Sequence, residues 1–267
     1  MITPPAGWRM VDVRRLWACR ELIGVLAARD IKVRYRQTVL GSAWVILQAL
    51  ATTGIFTAIF GYLVKIPSEG YPYAVFVYAA LLPWTFFVSA VNASANSLVG
   101  SAALIGKVYF PRLVIPLASI GSGLVDLAVS TAFLLILLPL FGVGWTAGLL
   151  AVPFLAAAVA ATALGIGILF SALIVAYRDF RNVVSFLMQL WLFATPVVYP
   201  VGLIPAKWRW VLHLNPMTGL VEGFRAAFLG KPFDIPSLCI SIAMGTVLLA
   251  VGVGYFEKVE ARFADII

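Results

Sequence analysis

Six stretches of this chain run for 17 to 30 residues almost without charge, and no other feature limits its fold so sharply. They cover residues 40–64, 73–99, 113–141, 147–176, 183–199 and 236–256, the second broken by Pro83. A helix needs about 20 apolar residues to cross a hydrocarbon core. The alternating pattern of a membrane β-barrel is absent. The sequence therefore predicts an all-α integral membrane protein with six transmembrane helices. Composition agrees, with 63% of residues hydrophobic and 11% charged, where a soluble domain has roughly half and a quarter.

The remaining charges alternate in register with these stretches. Arg9, Arg14, Arg15, Arg20, Arg29, Lys32, Arg34 and Arg36 precede the first. Lys107 and Arg112, Arg178 and Arg181, and Lys258 and Arg262 lie in three later segments. Together these segments hold 14 of the 19 basic residues, which marks them, and both termini, as cytoplasmic. The net charge of +8 then reads as topology and attraction to anionic membrane lipids, with no nucleic-acid partner required. No short apolar run with a cleavage site precedes the first span, which is expected to act as an uncleaved anchor. Cys19 and Cys239 fall on different sides of this map and say little about redox compartment.

The map divides the chain into a lead segment, 1–37, a six-span domain, 38–256, and a cytoplasmic tail, 257–267. In the lead, Met10, Val13, Trp17, Leu22, Leu26 and Val33 make a rough apolar stripe interrupted by Arg29. Two readings stand: a helix lying on the inner membrane surface, or a plain basic anchor. Residues 200–235 are too polar to span and too apolar to float. Their Trp208, Trp210 and Phe224 predict short helices at the outer interface, a re-entrant or gate segment.

The stretch GSAALIGKVYF, Gly100–Phe110, looks like a phosphate-cradling loop and fails the test for one. That loop needs four residues between its glycines and a hydroxyl after its lysine. Here five residues separate Gly100 from Gly106, and Val108 follows Lys107. His213 is the only histidine, and no Cys/His/carboxylate cluster accompanies it, so no metal site is expected. No nucleophilic triad or pair of intramembrane carboxylates is visible either.

Asp126 is the only acidic residue deep within a span. Its neighbours Gly121, Ser122, Gly123, Ser130 and Thr131 favour close helix contact and an interhelical hydrogen bond, with a proton relay as the alternative. Ala157, Ala161 and Gly165 form a small-residue pattern typical of helix packing. Before the first span, Lys32, Arg34, Tyr35 and Arg36 crowd together. They either orient and anchor the span or form a cationic mouth for a phosphorylated lipid headgroup. Glu222 and Arg225, three apart, can pair on a helix. Such a pair would hold an outer gate shut or keep one helix face soluble.

Four fragments in sequence resemble one family. They are RDIKVRYRQTVLGSAWVILQ, NSLVGSAALIGKVYFPRLVIPLAS, AYRDFRNVVSFLMQLWLFATPVVYP and LNPMTGLVEGFRAAFLG. They look like the type-2 ABC permeases that export bacterial polysaccharides such as O-antigen, teichoic acid and capsule. The resemblance implies a homodimer of six-span subunits in the bacterial inner membrane, paired with two copies of a separate ATPase chain. This chain would then be no enzyme and hold no cofactor, ATP and Mg²⁺ being bound by the partner.

The resemblance further implies an ATPase-coupling element at Lys107, Val108, Tyr109, Phe110, Pro111 and Arg112. The expected cargo is a glycan on a polyprenyl diphosphate, whose headgroup would meet Lys32, Arg34, Tyr35 and Arg36. A channel at the dimer centre would be lined by Trp44, Gln48, Phe56, Phe60 and Tyr62 with Gln189, Trp191, Phe193 and Tyr199. Glu222 and Arg225 would form an outer gate. Rival readings are a type-2 permease for a drug or simple lipid, a membrane-embedded glycan or lipid transferase, and a secondary transporter. The last two need polar or ionic clusters that this sequence lacks.

Overall fold

A computed structural model describes residues 13–36, 41, 43–106 and 110–260, and every regular element among them is helical. α1 (Val13–Ala18) and α2 (Arg20–Tyr35) precede the first long helix, α3 (Ala43–Leu63), whose end from Thr57 widens into a π-helix. α4 (Tyr73–Gly100) returns and is followed by the short α5 (Ala102–Ile105). α6 (Val114–Ser119) and α7 (Gly121–Leu140) together form the next span. A 3-10 turn, Ala147–Ala151, leads into α8 (Val152–Ala176). α9 (Phe180–Ala194), α10 (Arg209–His213), α11 (Thr218–Leu229) and α12 (Ile235–Glu260) complete the chain.

Among the described residues five segments are long and apolar enough to cross a membrane: Ala43–Leu63, Tyr73–Gly100, Val114–Leu140, Ala147–Ala176 and Ile235–Glu260. This is an all-α, multi-pass membrane protein. The stretch expected as a fifth span, 183–199, is instead a helix ending at Ala194. Pro196 disfavours helix at the residue before it, and Thr195 is accordingly extended. The 15 residues of α9 reach about 22 Å, short of a roughly 30 Å hydrocarbon core. Residues 195–198 turn inward and are buried. Pro83 breaks nothing, because α4 runs through it unbroken. The surrounding helices bury that stretch of α4, and packing of this kind lets a membrane helix tolerate proline.

α4, α8 and α12 are the trunk of the bundle. A Cβ at Gly252 would stand 2.1 Å from the Gly165 carbonyl oxygen, and one at Gly165 would stand 2.5 Å from the Leu249 nitrogen. Only glycine lets the α8 and α12 backbones approach so closely, and that approach replaces the hydrophobic effect as the source of cohesion in lipid. By contrast, α3 is barely held. Only 6% of its apolar stretch is buried within the chain, against 78% for α4.

The stripe expected in the lead segment divides. Leu22, Ile23 and Leu26 pack on Val114 and Ala118, and Ala27 sits against Gly121. Trp17, Val25 and Val33 point away and are exposed. α2 thus carries apolar groups on two sides, one docked on α6 and α7 and the other open. Met10 lies outside the described residues.

Candidate functional site

At the end of the bundle that carries α2, two consecutive side chains converge on one intramembrane acid. Arg34 Nη2 lies 2.5 Å from Asp126 Oδ2, and the Tyr35 phenol donates to Asp126 Oδ1. Arg34 Nη1 also reaches Ser122 Oγ at 3.5 Å. Burial first, and the Asp126 carboxylate second, push the Tyr35 phenol up to about 12, so it stays protonated and donating. Asp126 therefore does hold helices together, but its partners come from the lead helix and not from the small residues around it. Above the pair, a cavity of about 430 Å³ opens between α3, α4 and α7. Gln48, Thr52, Thr85, Ser89 and Ser130 supply its polar lining. Lys32 and Arg36, two residues before and after Arg34, are exposed.

The turn after α5 is fastened to the same end. The Arg112 backbone N–H donates to Glu260 Oε1 at 3.0 Å, and Arg112 Nη1 donates to the Glu260 carbonyl at 2.5 Å. Phe110 is half-buried and bridges two apolar clusters, one around Leu98, Leu113 and Phe256, the other around Leu26 and Val114. Phe110 and Arg112 thus face the bundle and seat the turn. Lys107, Val108 and Tyr109 lie outside the described residues. Nearby, Arg181 Nε donates to Asn96 Oδ1 at 2.9 Å, tying the start of α9 to the polar end of α4.

The opposite end is closed by a buried cation. Arg225 has no solvent exposure. Its Nη1 bonds Glu222 Oε1 and its Nη2 bonds the Val197 carbonyl, both at 2.5 Å. Longer contacts of 3.4 Å reach the carbonyls of Phe76 and Tyr199. The guanidinium carbon sits 3.8 Å from the centroid of the Phe76 ring. Burial pushes the Glu222 carboxyl up and the Arg225 guanidinium down, each opposed by the other's charge. A pair this enclosed does not serve to keep a helix soluble; it ties α11 to α4 and to the turn after α9. Lys231 adds an ion pair with Glu69 and stands 5.0 Å from the same Phe76 ring.

Residues 21–229 match the family model described as ABC-2 type transporter. An O-antigen export system permease protein, RfbA, of Klebsiella pneumoniae is 30% identical over 251 residues, covering 92% of this chain and 95% of that protein. RfbA of Myxococcus xanthus is 30% identical over 256 residues, covering 95% and 98%. The polysialic acid transport protein KpsM of Escherichia coli is 25% identical over 215 residues, covering 78% and 81%. The chain belongs to the ABC-2 type transporter family.

In this ABC-2 chain the aromatic and amide residues expected along a channel do not share one environment. Trp44, Gln48 and Tyr62 on α3, and Gln189 and Phe193 on α9, are exposed. Phe56 and Phe60 stack edge to face with centroids 5.8 Å apart and pack against the core. Trp191 turns inward, its ring edge-on to Phe87 at 5.5 Å and its Nε1 donating to Asn215 at 3.0 Å. Tyr199 is half-buried, and its phenol donates to the Phe193 carbonyl at 3.2 Å.

Asn215 is the residue that sequence reasoning passed over, although it lies in the quoted LNPM. Its Oδ1 also accepts from the Met217 N–H at 2.9 Å, while Nδ2 donates to the Ala194 carbonyl at 3.2 Å and Thr195 Oγ1 at 2.8 Å. One amide thereby satisfies the end of α9 and the start of the segment that leads into α11. The available signal was a polar residue before a proline in an otherwise apolar run. Among the described residues no group of three or more His, Cys, Asp or Glu could hold a metal ion.

Proposed function

We propose that this chain is the membrane subunit of an exporter that moves a lipid-linked polysaccharide, an O-antigen-like glycan on a polyprenyl diphosphate, from the cytoplasm across a bacterial inner membrane. A separate ATPase chain, present in two copies, binds ATP and Mg²⁺ and drives the cycle. Two copies of the permease form a homodimer, each with six membrane passages once α9 is counted and with both termini cytoplasmic. The observation that carries this reading is the bare state of α3 and α9. They are apolar and aromatic on faces that meet nothing in their own chain. Exposed Trp44, Gln48, Gln189 and Phe193 are suited to a path between two copies, where rings stack on sugars and amides exchange hydrogen bonds with them. The relatives' printed cargo supports a glycan over a drug or simple lipid.

Coupling is assigned to residues 107–112. Phe110 and Arg112 fix the turn to the bundle, which leaves Lys107, Val108 and Tyr109 to meet the ATPase. Aromatic and cationic side chains are frequent anchors of such contacts. Lys32, Arg34 and Arg36 form the mouth that receives the diphosphate. The deciding test is reconstitution of the permease with its ATPase in vesicles. ATP hydrolysis is expected to rise with lipid-linked glycan; stimulation by a drug or plain phospholipid alone refutes the cargo. Tyr109→Ala is expected to reduce co-purification of the ATPase, whereas Phe110→Ala is expected to spare it and lower stimulated hydrolysis.

A further inference from the structure

We propose that Asp126 is a positioning residue that aims Arg34 at a phosphate group arriving from the membrane surface. The inference rests on the reading of residues 32–36 as a phosphate-facing mouth and assigns that mouth its orienting group. Arg34 and Tyr35 are adjacent on α2, so their side chains leave the helix about 100° apart. One carboxylate that accepts from both, with Arg34 Nη2 at 2.5 Å, fixes the rotation of the last turn of α2. That rotation also sets where exposed Lys32 and Arg36 point.

The pair is lopsided in a useful direction. The Asp126 side chain is 12% exposed and that of Arg34 is 42% exposed. The acid is sunk behind the guanidinium and the guanidinium keeps an open edge. A guanidinium carries five N–H donors in a rigid fork, and among the described residues its acceptors are Asp126 and Ser122 alone. The open edge therefore retains donors in the bidentate geometry that suits phosphate oxygens. The middle of α2 is packed down independently, by Leu26 on Val114 and Ala118 and by Ala27 on Gly121, so the ionic contact acts on its last turn. What Asp126 adds is aim, which raises affinity by removing the ordering cost of a long side chain. The 430 Å³ cavity behind, with Gln48, Thr52, Thr85 and Ser130, offers hydroxyl and amide partners to whatever polar group the phosphate carries.

The test uses full-length permease in phosphatidylcholine nanodiscs. Binding is measured for a polyprenyl diphosphate in the disc, phosphatidylglycerol in the disc, and soluble pyrophosphate. Asp126→Asn keeps the size of the side chain and an acceptor for Tyr35 but removes the charge that orders Arg34. It is expected to weaken polyprenyl diphosphate about fivefold. Arg34→Gln is expected to weaken it at least as much, and the double variant no further, whereas Lys32→Gln adds its own loss. Asp126→Glu is expected to recover part of the affinity. If Asp126→Asn does not fold, Tyr35→Phe reads the same orientation and is expected to cost about twofold. The same Asp126 dependence for pyrophosphate supports the assignment with the free anion as source. Unchanged or tighter binding in Asp126→Asn, or binding of phosphatidylglycerol alone, overturns it. If the wild-type chain ignores polyprenyl diphosphate altogether, the mouth itself is refuted; if it binds and the Asp126 variants match it, only the positioning role falls.

Discussion

Replacing Arg225 by Met is the sharpest probe of what holds the α11 end of the bundle. The guanidinium is wholly buried, and its carboxylate partner Glu222 keeps a side chain that is 23% exposed. Breaking a buried ion pair by removing one member costs about 3–5 kcal/mol, because the other charge is left without compensation. Water at Glu222 recovers part of that, which places the expected cost near the lower bound, about 3 kcal/mol. The Val197 carbonyl, bonded at 2.5 Å, loses its donor as well. For a chain of this size each kcal/mol moves the midpoint by about 2–4 °C, so thermal unfolding in detergent is expected about 6–12 °C lower. Hydrogen exchange should rise in α11 and residues 195–199 before it rises in α8. The double variant Arg225→Met with Glu222→Gln removes both charges and is expected to be more stable than the sum of the single losses. A midpoint within about 1 °C of wild type, or strictly additive losses, would show that the pair does not hold this end.

Two further outcomes test the trunk and the coupling turn. Gly252→Ala drives a methyl group into the Gly165 carbonyl and is expected to cost about 1–3 kcal/mol or more, read as a lowered thermal midpoint, while Gly24→Ala, exposed inside α2 with nothing within 4 Å, is the control and is expected to leave the midpoint unchanged or raise it slightly. Glu260→Ala strips the acceptor from the Arg112 N–H. Permease and ATPase should still co-purify, with glycan-stimulated hydrolysis about fivefold lower, a loss near 1 kcal/mol; unchanged stimulation would remove Glu260 from the coupling path.

The long apolar runs made the helical class and five spanning segments legible, because length and lack of charge are local properties of sequence. Boundaries were legible where a local breaker acts and was weighed. Pro196 was not weighed, so the run through Tyr199 was read as helix past its true end at Ala194. Pro83 was weighed as a break although burial overrides it. Partners across the fold were beyond reach. Asp126 and Arg34 are 92 positions apart, and small neighbours in sequence are the wrong place to look for the group that compensates a buried charge. Arg225 follows Glu222 at helical spacing, which suits an outer gate or a helix with one soluble face. Nothing local announces that Phe76, Val197 and Tyr199 will enclose it. The family fragments suggested a coupling role for residues 107–112 but not the direction of Phe110, since an aromatic beside a proline suits a partner's pocket and the chain's own core equally well.

The placement of the two ion pairs divides the molecule into a part that resists motion and a part that does not. Arg34 and Tyr35 on Asp126 bind the lead helix to α7 at one end, and Arg225 binds α11 to α4 at the other. Between them α4, α8 and α12 meet through buried side chains and backbone contacts that tolerate no added methyl group at Gly165 or Gly252. Such interfaces behave as units, since a close-packed core has few intermediate arrangements. α3 and α9 stand outside this unit. α3 is almost unburied, and α9 gives the core one narrow face, Val184, Met188 and Trp191, with Asn215 and the Arg181–Asn96 bond at its two ends. These are also the helices that carry the exposed aromatic and amide residues. On the proposed coupling role of residues 107–112, a force entering at the Arg112–Glu260 staple would reach α12 directly, and through it the trunk. The trunk would then move as a body while α3 and α9 repack. A path that must widen for a polymer and close again is better walled by helices whose repacking costs little than by the trunk itself.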